Sequence, residues 1–340
     1  MPVTQVHTVP PLKVTGFMFS VWAYQVLNSA MELDMFTALK GSKSTASELA
    51  ARAKLDERAT RLMLDALTSM ELLKKSGERY ELTDVAENYL VKDSPLYFGN
   101  FLNMRSVHKD SWEKLSDTVR TGKPQNKVNQ QSEGEKFFKE LTVAIFPLNY
   151  STAQTLSEEL KVSSMSGEVR VLDLAAGSGV WSLPMAEGNK NVKVDALDFP
   201  PVLEVTKEFA TKYGVADRYQ YLSGNWREVK LQPEHYDIII LGHILHSEGK
   251  KASEELLKYC AAALKKGGTL IIAEFMENEE RSGPIFPTLF AINMLLATET
   301  GCVFTVEELK TMIQAAGMKD AHRLKLPVYG EESPIMVAKK

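Results

Sequence analysis

Residues 170–182 contain the feature that most constrains how this chain folds. An apolar run ends at Asp173, a turn of small residues follows with Gly177 and Gly179, and a pattern typical of a helix begins after it. This is a strand–turn–helix in which the backbone can lie close to a small ligand. A second apolar run ends in Asp198, about twenty residues further on. A glycine turn after one strand and a carboxylate after the next predict a Rossmann-type nucleotide site.

Two nucleotides compete for this turn. A dinucleotide motif requires a third glycine where this chain has Ser182. A site for S-adenosylmethionine (SAM) requires an acid, a small residue and two glycines at alternate positions, and Asp173, Ala175, Gly177 and Gly179 match it. Because SAM has no phosphates, the turn needs only small side chains beside the methionyl part and a carboxylate for the ribose hydroxyls. The spacing favours SAM, with a turn that binds no ligand as the third interpretation.

Composition limits the class of protein. The 340 residues suffice for two domains, and 44% hydrophobic with 25% charged residues is ordinary for a globular protein. A net charge of −4 argues against a general polyanion binder. No apolar stretch approaches the ~18 residues of a membrane span, and residues 1–11 have three prolines and no apolar signal core. We therefore expect a cytoplasmic protein that does not contact a membrane.

The two cysteines, Cys260 and Cys302, cannot form a disulfide framework and lack the spacing of metal ligands. We expect both to be small buried hydrophobic residues in a reducing compartment.

The N-terminal part predicts a winged-helix domain over residues 12–100. Apolar residues at helical spacing cover 16–40 and stop at a glycine. A helix-turn-helix pattern follows, in which Ser44 or Thr45 caps the first helix and Asp56 caps the second. Two short strand patterns around a glycine turn then predict the wing.

The charge of this domain distinguishes nucleic-acid binding from dimerisation, the two roles considered for a winged helix. Residues 1–100 contain 11 Lys and Arg against 12 Asp and Glu, a net charge of −1. Arg58 and Arg61 of the second helix are accompanied by Asp65. Neutralising several phosphates requires a basic face, which this pattern lacks. We therefore expect dimerisation and no nucleic-acid binding.

Residues 101–165 predict a helical linker that contributes to a substrate cleft, with a break at 122–124. Its apolar residues form two stripes, the second of which ends near Pro147. Stripes of this kind are usually core, but aromatic side chains in a segment that joins two domains can also line a cleft. The members are Trp112, Leu115 and Val119, then Phe137, Phe138, Leu141 and Ile145.

From residue 166 to 340, strand and helix patterns alternate, which predicts a parallel sheet with right-handed crossovers. Two adjacent strand patterns around Gly330 end the chain and predict an antiparallel hairpin. A terminal hairpin of this kind favours a methyltransferase domain over a dinucleotide dehydrogenase. Strands are expected near 169–174, 192–197, 219–223, 236–241, 268–275, 319–326 and 335–339, with helices beginning near 180, 201, 252 and 305.

With these motifs in place, the chain resembles the bacterial and plant small-molecule O-methyltransferases of the caffeate and acetylserotonin type. The resemblance runs along nearly the whole chain, through residues 32–36, 47–50, 80–83, 120–124, 173–179, 197–203, 224–226, 236–240, 244–246, 264–268 and 272–274. It implies a class I methyltransferase domain of α/β fold that binds SAM and releases S-adenosylhomocysteine. It also implies a homodimer held by the mainly α N-terminal domain.

The resemblance also implies roles for single residues. His246 corresponds to the general base and Glu274 to a carboxylate that positions it, while His243 lies three residues earlier and is a second candidate base. The cofactor-binding set is Asp173, Ala175, Gly177, Gly179, Asp198, Phe199, Gly224, Asn225, Trp226 and Gly242, with Asp198 on the ribose and Asn225 and Trp226 on the adenine. The substrate set is Phe17, Phe19, Trp112, Phe146, Phe290, Asn293 and Met294.

Three positions depart from the family pattern. Ser247 follows the base where an aspartate is common, and Ala175 replaces the first motif glycine. The family's second carboxylate falls near Val303, where this chain has no acid. His243 and His246 could share a metal, but no third ligand is spaced along the sequence to complete a site, and we expect none.

The sequence therefore predicts a SAM-dependent O-methyltransferase that acts on a hydroxyl of a small phenolic or polyketide-type aromatic metabolite. The sulfonium already activates the methyl group, so the protein must align the acceptor and let a histidine take its proton. The same fold as a C- or N-methyltransferase, or a non-methylating SAM-dependent relative, is the first alternative. A winged-helix metabolite sensor and an NAD-dependent oxidoreductase are the others.

Overall fold

A computed structural model describes residues 12–103, 111–125, 131–326 and 335–340. The expectations for residues 1–11 and for the turn at Gly330 lie outside these residues. The chain divides into two compact units, residues 1–102 and 103–340. Within the described residues, no helix combines the length and apolarity that crossing a membrane requires.

The first unit contains a helix-turn-helix followed by a two-stranded wing. Its elements are α1 (Leu12–Glu32), α2 (Met35–Leu39), α3 (Ala46–Ala53), α4 (Glu57–Ser69), β1 (Leu73–Ser76), β2 (Arg79–Leu82), α5 (Asp84–Tyr89) and α6 (Gly99–Asn103). The Thr45 side chain and Glu48 form a reciprocal capping box at the start of α3. Asp56 accepts from the backbone N–H of Ala59 and caps α4. The predicted caps and wing are confirmed.

The single helix predicted over 16–40 is wrong. The chain leaves the helix after Glu32, and Asp34 adopts a left-handed φ of 57° before α2 begins. An aspartate tolerates this conformation better than most residues, so the apolar spacing continues while the helix axis turns.

Asp65 joins α4 to the wing. Its carboxylate accepts from the Tyr80 hydroxyl at 2.7 Å and from Lys75 Nζ at 2.6 Å, and Arg61 lies 3.0 Å away. The hydrogen bonds from Lys75 and Tyr80 hold the pKa of Asp65 below its ordinary value. Arg61 therefore has its own carboxylate partner on the same helix, in keeping with the expectation that α4 is not a phosphate-binding face.

Helix α1 carries a run of exposed apolar side chains. Trp22 is 66% exposed, and the others are Leu12, Val14, Phe17, Met18, Phe19 and Val21. Scattered exposed apolar residues are normal, but this many on one helix mark an interaction surface.

The second unit begins with helices α7 (Leu115–Thr121) and α8 (Gln131–Glu159). The chain leaves helical geometry at 122–124, as predicted. Pro147, near which the second apolar stripe ends, lies inside α8. A proline removes one backbone hydrogen bond, whereas buried side chains on both sides of it, including Phe146 and Leu156, hold the helix against the unit.

Among the described residues of the second unit, seven strands form one sheet in the order β10-β11-β7-β6-β3-β4-β5. Its strands are β3 (Val169–Leu174), β4 (Val192–Asp198), β5 (Tyr219–Ser223), β6 (Tyr236–Gly242), β7 (Leu264–Ala273), β10 (Lys319–Leu324) and β11 (Ile335–Lys339). Strands β3 to β7 pair in parallel, and β10 and β11 add an antiparallel hairpin. The predicted mainly parallel α/β fold with a terminal hairpin is confirmed.

The crossovers are α9 (Leu183–Gly188), α10 (Pro200–Lys212), α11 (Leu245–Ala263), α12 (Ile285–Ala297) and α13 (Val306–Ala315), and a short parallel pair joins β8 (Met276–Glu277) to β9 (Phe304–Thr305). Helix α11 begins seven residues before the predicted position and contains a non-helical residue, Gly249. A Cβ on Gly249 would lie 2.3 Å from the Thr300 carbonyl oxygen, so the backbones are in close contact there. Strand β7 begins at Leu264, before the predicted 268, because Leu264 pairs with Tyr236 of β6.

Cys260 is fully buried, as predicted, and burial raises the pKa of its thiol. Cys302 is only half-buried, which corrects the prediction for that residue.

Candidate active site

The carboxyl ends of β3, β4, β6 and β7 meet at one edge of the sheet, where ligands bind in folds of this kind. At the end of β3, Ala175, Gly177 and Gly179 have φ values of 57°, 57° and 74°. A Cβ on Gly177 would lie 2.9 Å from Cγ2 of Thr142 on α8, so this position has room only for glycine. The three left-handed residues keep the turn tight and its backbone accessible.

Asp198 ends β4 beside this turn. The backbone N–H of Gly177 donates to its Oδ2 at 2.9 Å, and the N–H of Phe199 donates to Oδ1 at 2.7 Å. Burial raises the pKa of Asp198 to about 6, although both N–H groups favour its ionised form. The fold therefore fixes a carboxylate with lone pairs to spare at the end of the second strand.

Asp173 lies beneath the turn and is fully buried. Its Oδ2 accepts from the Ser182 hydroxyl at 2.5 Å, and Ser182 in turn lies 2.9 Å from the Tyr219 hydroxyl. Its Oδ1 has no hydrogen-bond partner among the described residues, and burial raises the pKa of Asp173 to about 7. Ser182, the residue in place of a third motif glycine, thus ties the strand to the turn.

Gly224 brings the next segment to the same edge. Its N–H donates to the carbonyl of Asp198 at 3.0 Å, and its φ of 138° suits glycine. Asn225 accepts from the backbone N–H of Arg227. Trp226 packs against Tyr259 in the core, and its indole N–H is buried with no partner among the described residues. A left-handed turn with a fixed carboxylate beside it fits an adenosyl ligand such as SAM.

Two histidines follow β6 at this edge. His246, in the first turn of α11, has Nδ1 2.8 Å from Oε2 of Glu274, and its backbone N–H donates to Oε1 at 3.3 Å. The Glu274 side chain is 1% exposed. Burial raises its pKa, but the charge and hydrogen bonds of His246 outweigh burial and leave that pKa below its ordinary value. Both carboxylate oxygens thus hold His246.

His243 is placed differently. It has a left-handed φ of 58°, and its Nδ1 lies 3.9 Å from Oε2 of Glu274, beyond hydrogen-bonding distance. Burial lowers the pKa of His243 to about 4. The Trp181 ring lies 5.8 Å from the imidazole and leaves no space for a side chain at Gly242, where a Cβ would be 2.3 Å from its Cδ1.

Aromatic rings surround the histidines. The Phe290 ring of α12 meets the His246 ring edge-on at 4.9 Å between centroids. Phe275 lies 4.5 Å from His243 and 4.7 Å from Phe290, and Phe286 adds a further ring 4.9 Å from Phe275. Phe275 is not among the predicted site residues, although its position directly after Glu274 at a strand end could have indicated it.

The other predicted substrate residues lie in different surroundings. Asn293 accepts from Nε1 of Trp112 at 3.3 Å, and Met294 next to it is buried. Phe146 is 1% exposed and packs against Phe209 of α10, so we correct its assignment from substrate residue to core residue. Phe17 and Phe19 belong to the first unit and are exposed on α1.

The departures from the family pattern have structural counterparts. The Val303 side chain is buried, and its carbonyl accepts from Arg281, which also pairs with Glu277. Ser247 donates to the carbonyl of Ile244. Of the carboxylates that the structure describes, Glu274 is the one within hydrogen-bonding distance of the His246 ring.

Comparison with known proteins identifies the family. The model of the O-methyltransferase domain matches residues 112–319, and that of the O-methyltransferase dimerisation domain matches residues 15–92.

Among single proteins, the 3-hydroxy-5-methyl-1-naphthoate 3-O-methyltransferase of Streptomyces sahachiroi is 28% identical over 324 residues, which cover 93% of this chain and 91% of that enzyme. The L-tyrosine C(3)-methyltransferase of Streptomyces lavendulae is 24% identical over 320 residues, covering 90% and 87%. The crystal structure of human N-acetylserotonin methyltransferase in complex with SAM has the same fold, with a TM-score of 0.79, 22% identity and 99% of both chains covered.

These matches confirm the family resemblance and the choice of SAM over a dinucleotide as the cofactor. With the O-methyltransferase model covering more than half of its length, the chain belongs to the O-methyltransferase family and is a methyltransferase that uses SAM as its methyl donor.

Proposed function

We propose that this enzyme methylates a hydroxyl of a small aromatic metabolite, phenolic or polyketide-type, with His246 as the general base. The observation that carries the proposal is the arrangement of the His246 imidazole. Glu274 holds it at 2.8 Å on one side, and Phe290 meets it at 4.9 Å on another. A base oriented by a carboxylate and placed against aromatic rings suits a flat, weakly acidic acceptor.

Cofactor binding is assigned to the residues at the carboxyl ends of β3 and β4. The sulfonium of SAM supplies a methyl carbon that is already activated toward a nucleophile. We assign the ribose hydroxyls to the Asp198 carboxylate, the methionyl part to the backbone of the glycine turn, and the adenine to the Asn225–Trp226 segment. The protein then has to hold the acceptor in line and exclude water, which accounts for a large part of such rate enhancements.

The proton has a defined route. Because an ionised carboxylate only accepts, Nδ1 of His246 carries the hydrogen that is donated to Glu274, and Nε2 bears a free lone pair. With SAM bound, Nε2 would take the proton of the acceptor hydroxyl as its oxygen displaces the sulfur from the methyl carbon, and S-adenosylhomocysteine would leave. The imidazolium that forms is stabilised by the adjacent Glu274 carboxylate. Glu274 is thus a positioning residue that also favours the charged form of the base.

The acceptor class follows from the walls of the site. Phe275, Phe286 and Phe290 offer faces and edges that stack on flat rings, and Trp112 and Asn293 supply polar atoms nearby. One relative of this chain is a hydroxynaphthoate O-methyltransferase and another acts in the 8-O-methylation step of tetracenomycin polyketide synthesis. We therefore assign a fused or substituted aromatic acceptor to this chain.

A carbon acceptor is the second candidate, because one relative is a tyrosine C(3)-methyltransferase. The same base would deprotonate the phenol, and the ring carbon beside the oxygen would attack the methyl carbon. The site therefore serves either outcome, and the product distinguishes them.

The test is a product assay with methyl-¹³C SAM. Purified enzyme is incubated with a panel of hydroxynaphthoates, hydroxyanthraquinones and simple phenols, each paired with its methyl ether as a control in which the hydroxyl is blocked. We expect methyl transfer to at least one free phenol, none to its ether, and a ¹³C shift typical of a methoxy carbon. Transfer to the ether, or a product with the label on ring carbon, would contradict O-methylation.

We further propose that the chain is a homodimer through its first unit, in which case Phe17 and Phe19 are candidates to line the partner's acceptor site. The match of the dimerisation domain to residues 15–92 and the exposed apolar side chains of α1 support this. Light scattering should give twice the mass of one 38.0 kDa chain. Val21→Glu should shift the protein toward the monomer because it buries a charge, whereas Val85→Glu, at an equally exposed valine of α5, should not. The mass of a single chain for the unaltered protein would refute the dimer.

A further inference from the structure

His243 is the buried polar side chain of the site that the proposed methyl transfer does not use. Its side chain is 9% exposed, and neither ring nitrogen has a hydrogen-bond partner among the described residues. Leaving a buried imidazole unpaired costs free energy, so such a group calls for a partner. Glu274, 3.9 Å away, is the charged group that it faces.

His243, His246 and Glu274 place three ligand atoms within 4.8 Å of one another. The distance from Glu274 Oε2 is 2.8 Å to Nδ1 of His246 and 3.9 Å to Nδ1 of His243. A tetrahedral zinc ion with bonds of about 2.0–2.2 Å separates its ligand atoms by about 3.3 Å, which lies between these distances. We propose that these three residues form an inhibitory binding site for Zn²⁺.

The donor set selects the type of metal. Two imidazole nitrogens and one carboxylate oxygen suit zinc and its transition-metal neighbours, whereas Mg²⁺ and Ca²⁺ prefer oxygen ligands. Three protein ligands leave a fourth position for water. The sequence offers only the two histidines at close spacing, and the fold supplies the third ligand by bringing the residue after β7 to the end of β6.

The consequence for the base follows from the hydrogen bond that the metal replaces. With Zn²⁺ on Nδ1 of His246, the hydrogen of that nitrogen moves to Nε2, and Glu274 Oε2 binds the metal in its place. Nε2 then has no lone pair with which to accept a proton. The metal thereby blocks methyl transfer. This inhibition rests on the function proposed above, whereas the binding of the metal does not depend on that function.

Isothermal titration calorimetry tests the site. Enzyme freed of metal with a chelator and dialysed is titrated with ZnCl₂, without SAM or acceptor. We expect one ion per chain and no heat with MgCl₂. His243→Asn, chosen because asparagine tolerates the left-handed backbone, should weaken Zn²⁺ binding about tenfold or more. His322→Ala, which removes an exposed histidine of β10, should bind Zn²⁺ as the unaltered protein does.

A second variant and a spectroscopic measurement test the proposed ligands independently. Glu274→Gln keeps the shape of the side chain, removes its charge and should also weaken Zn²⁺ binding, and circular dichroism checks that both variants are folded. Co²⁺ in place of Zn²⁺ should give the absorption bands of a tetrahedral site in the unaltered protein and weaker bands in His243→Asn. The proposal is overturned if Zn²⁺ does not bind saturably, or if folded His243→Asn and Glu274→Gln bind it with unchanged affinity. If Zn²⁺ binds saturably and this binding depends on His243, but the protein methylates no phenol, the metal site is supported and the proposed function is rejected.

Discussion

Replacement of His246 with alanine is expected to lower kcat by about 10²–10⁴-fold, the usual contribution of a general base. One oxygen of Glu274 binds the His246 ring and the other binds its backbone N–H, so the imidazole is already oriented to accept the proton. Affinity for S-adenosylhomocysteine should stay within about twofold of the unaltered enzyme, because the cofactor residues proposed above lie on other segments. Turnover is measured as S-adenosylhomocysteine release with the best phenol from the panel, and affinity by calorimetry.

His235→Ala is the matched control for this variant. His235 is also half-buried in the second unit and has Nε2 3.0 Å from Nη1 of Arg170, but it precedes β6, whereas His246 follows it. Its removal should leave kcat nearly unchanged. Added imidazole should restore part of the activity of His246→Ala, which a variant with only a packing defect would not show. If His246→Ala turned over as fast as the unaltered enzyme, His246 would not be the base.

Replacement of Asp198 with alanine is expected to weaken binding of S-adenosylhomocysteine by about 100-fold. Hydrogen bonds to a charged group are each worth about 1.5–3 kcal/mol, and the ribose offers two hydroxyls to this carboxylate. The variant also leaves the N–H groups of Gly177 and Phe199 without their acceptor, which loosens the turn. Calorimetry with the purified protein measures the dissociation constant.

Asp195→Ala provides the comparison, because Asp195 lies on the same strand and accepts from the Tyr236 hydroxyl at 2.7 Å. That variant should lose stability but keep its affinity. Because burial raises the pKa of Asp198 to about 6, the carboxylate of the free enzyme takes up a proton below that pH and accepts hydrogen bonds less well. Affinity should therefore fall as the pH decreases below about 6, and Asp198→Asn should not show this fall. A dissociation constant for Asp198→Ala within about threefold of the original would rule out the ribose assignment.

The features that the sequence predicted well are those set by local chemistry. Thr45 and Asp56 each cap a helix through a hydrogen bond to the third residue after them, so a short stretch of sequence contains the whole interaction. Two of the parallel strands are short apolar runs with Asp173 and Asp198 at their carboxyl ends, which lie at the predicted edge. Periodicity and turn residues suffice for such elements.

The features that could not be predicted from the sequence depend on contacts between residues far apart along the chain. The contact between Glu274 and His246 joins residues 28 positions apart, and only the family resemblance suggested it. Phe146 was assigned to the substrate because an aromatic residue on a linking helix fits a cleft and a core equally well, and its packing against Phe209 decides for the core.

The two contacts of Glu274 with His246 also determine when the entropic cost of orienting the imidazole is incurred. One oxygen fixes the backbone at the start of α11 and the other fixes the ring, so the imidazole loses its rotational freedom once, as the chain folds. Binding of the cofactor or the acceptor therefore does not have to order the imidazole again. The conformational entropy lost once, when the protein folds, thus lowers the free-energy barrier of every later catalytic cycle.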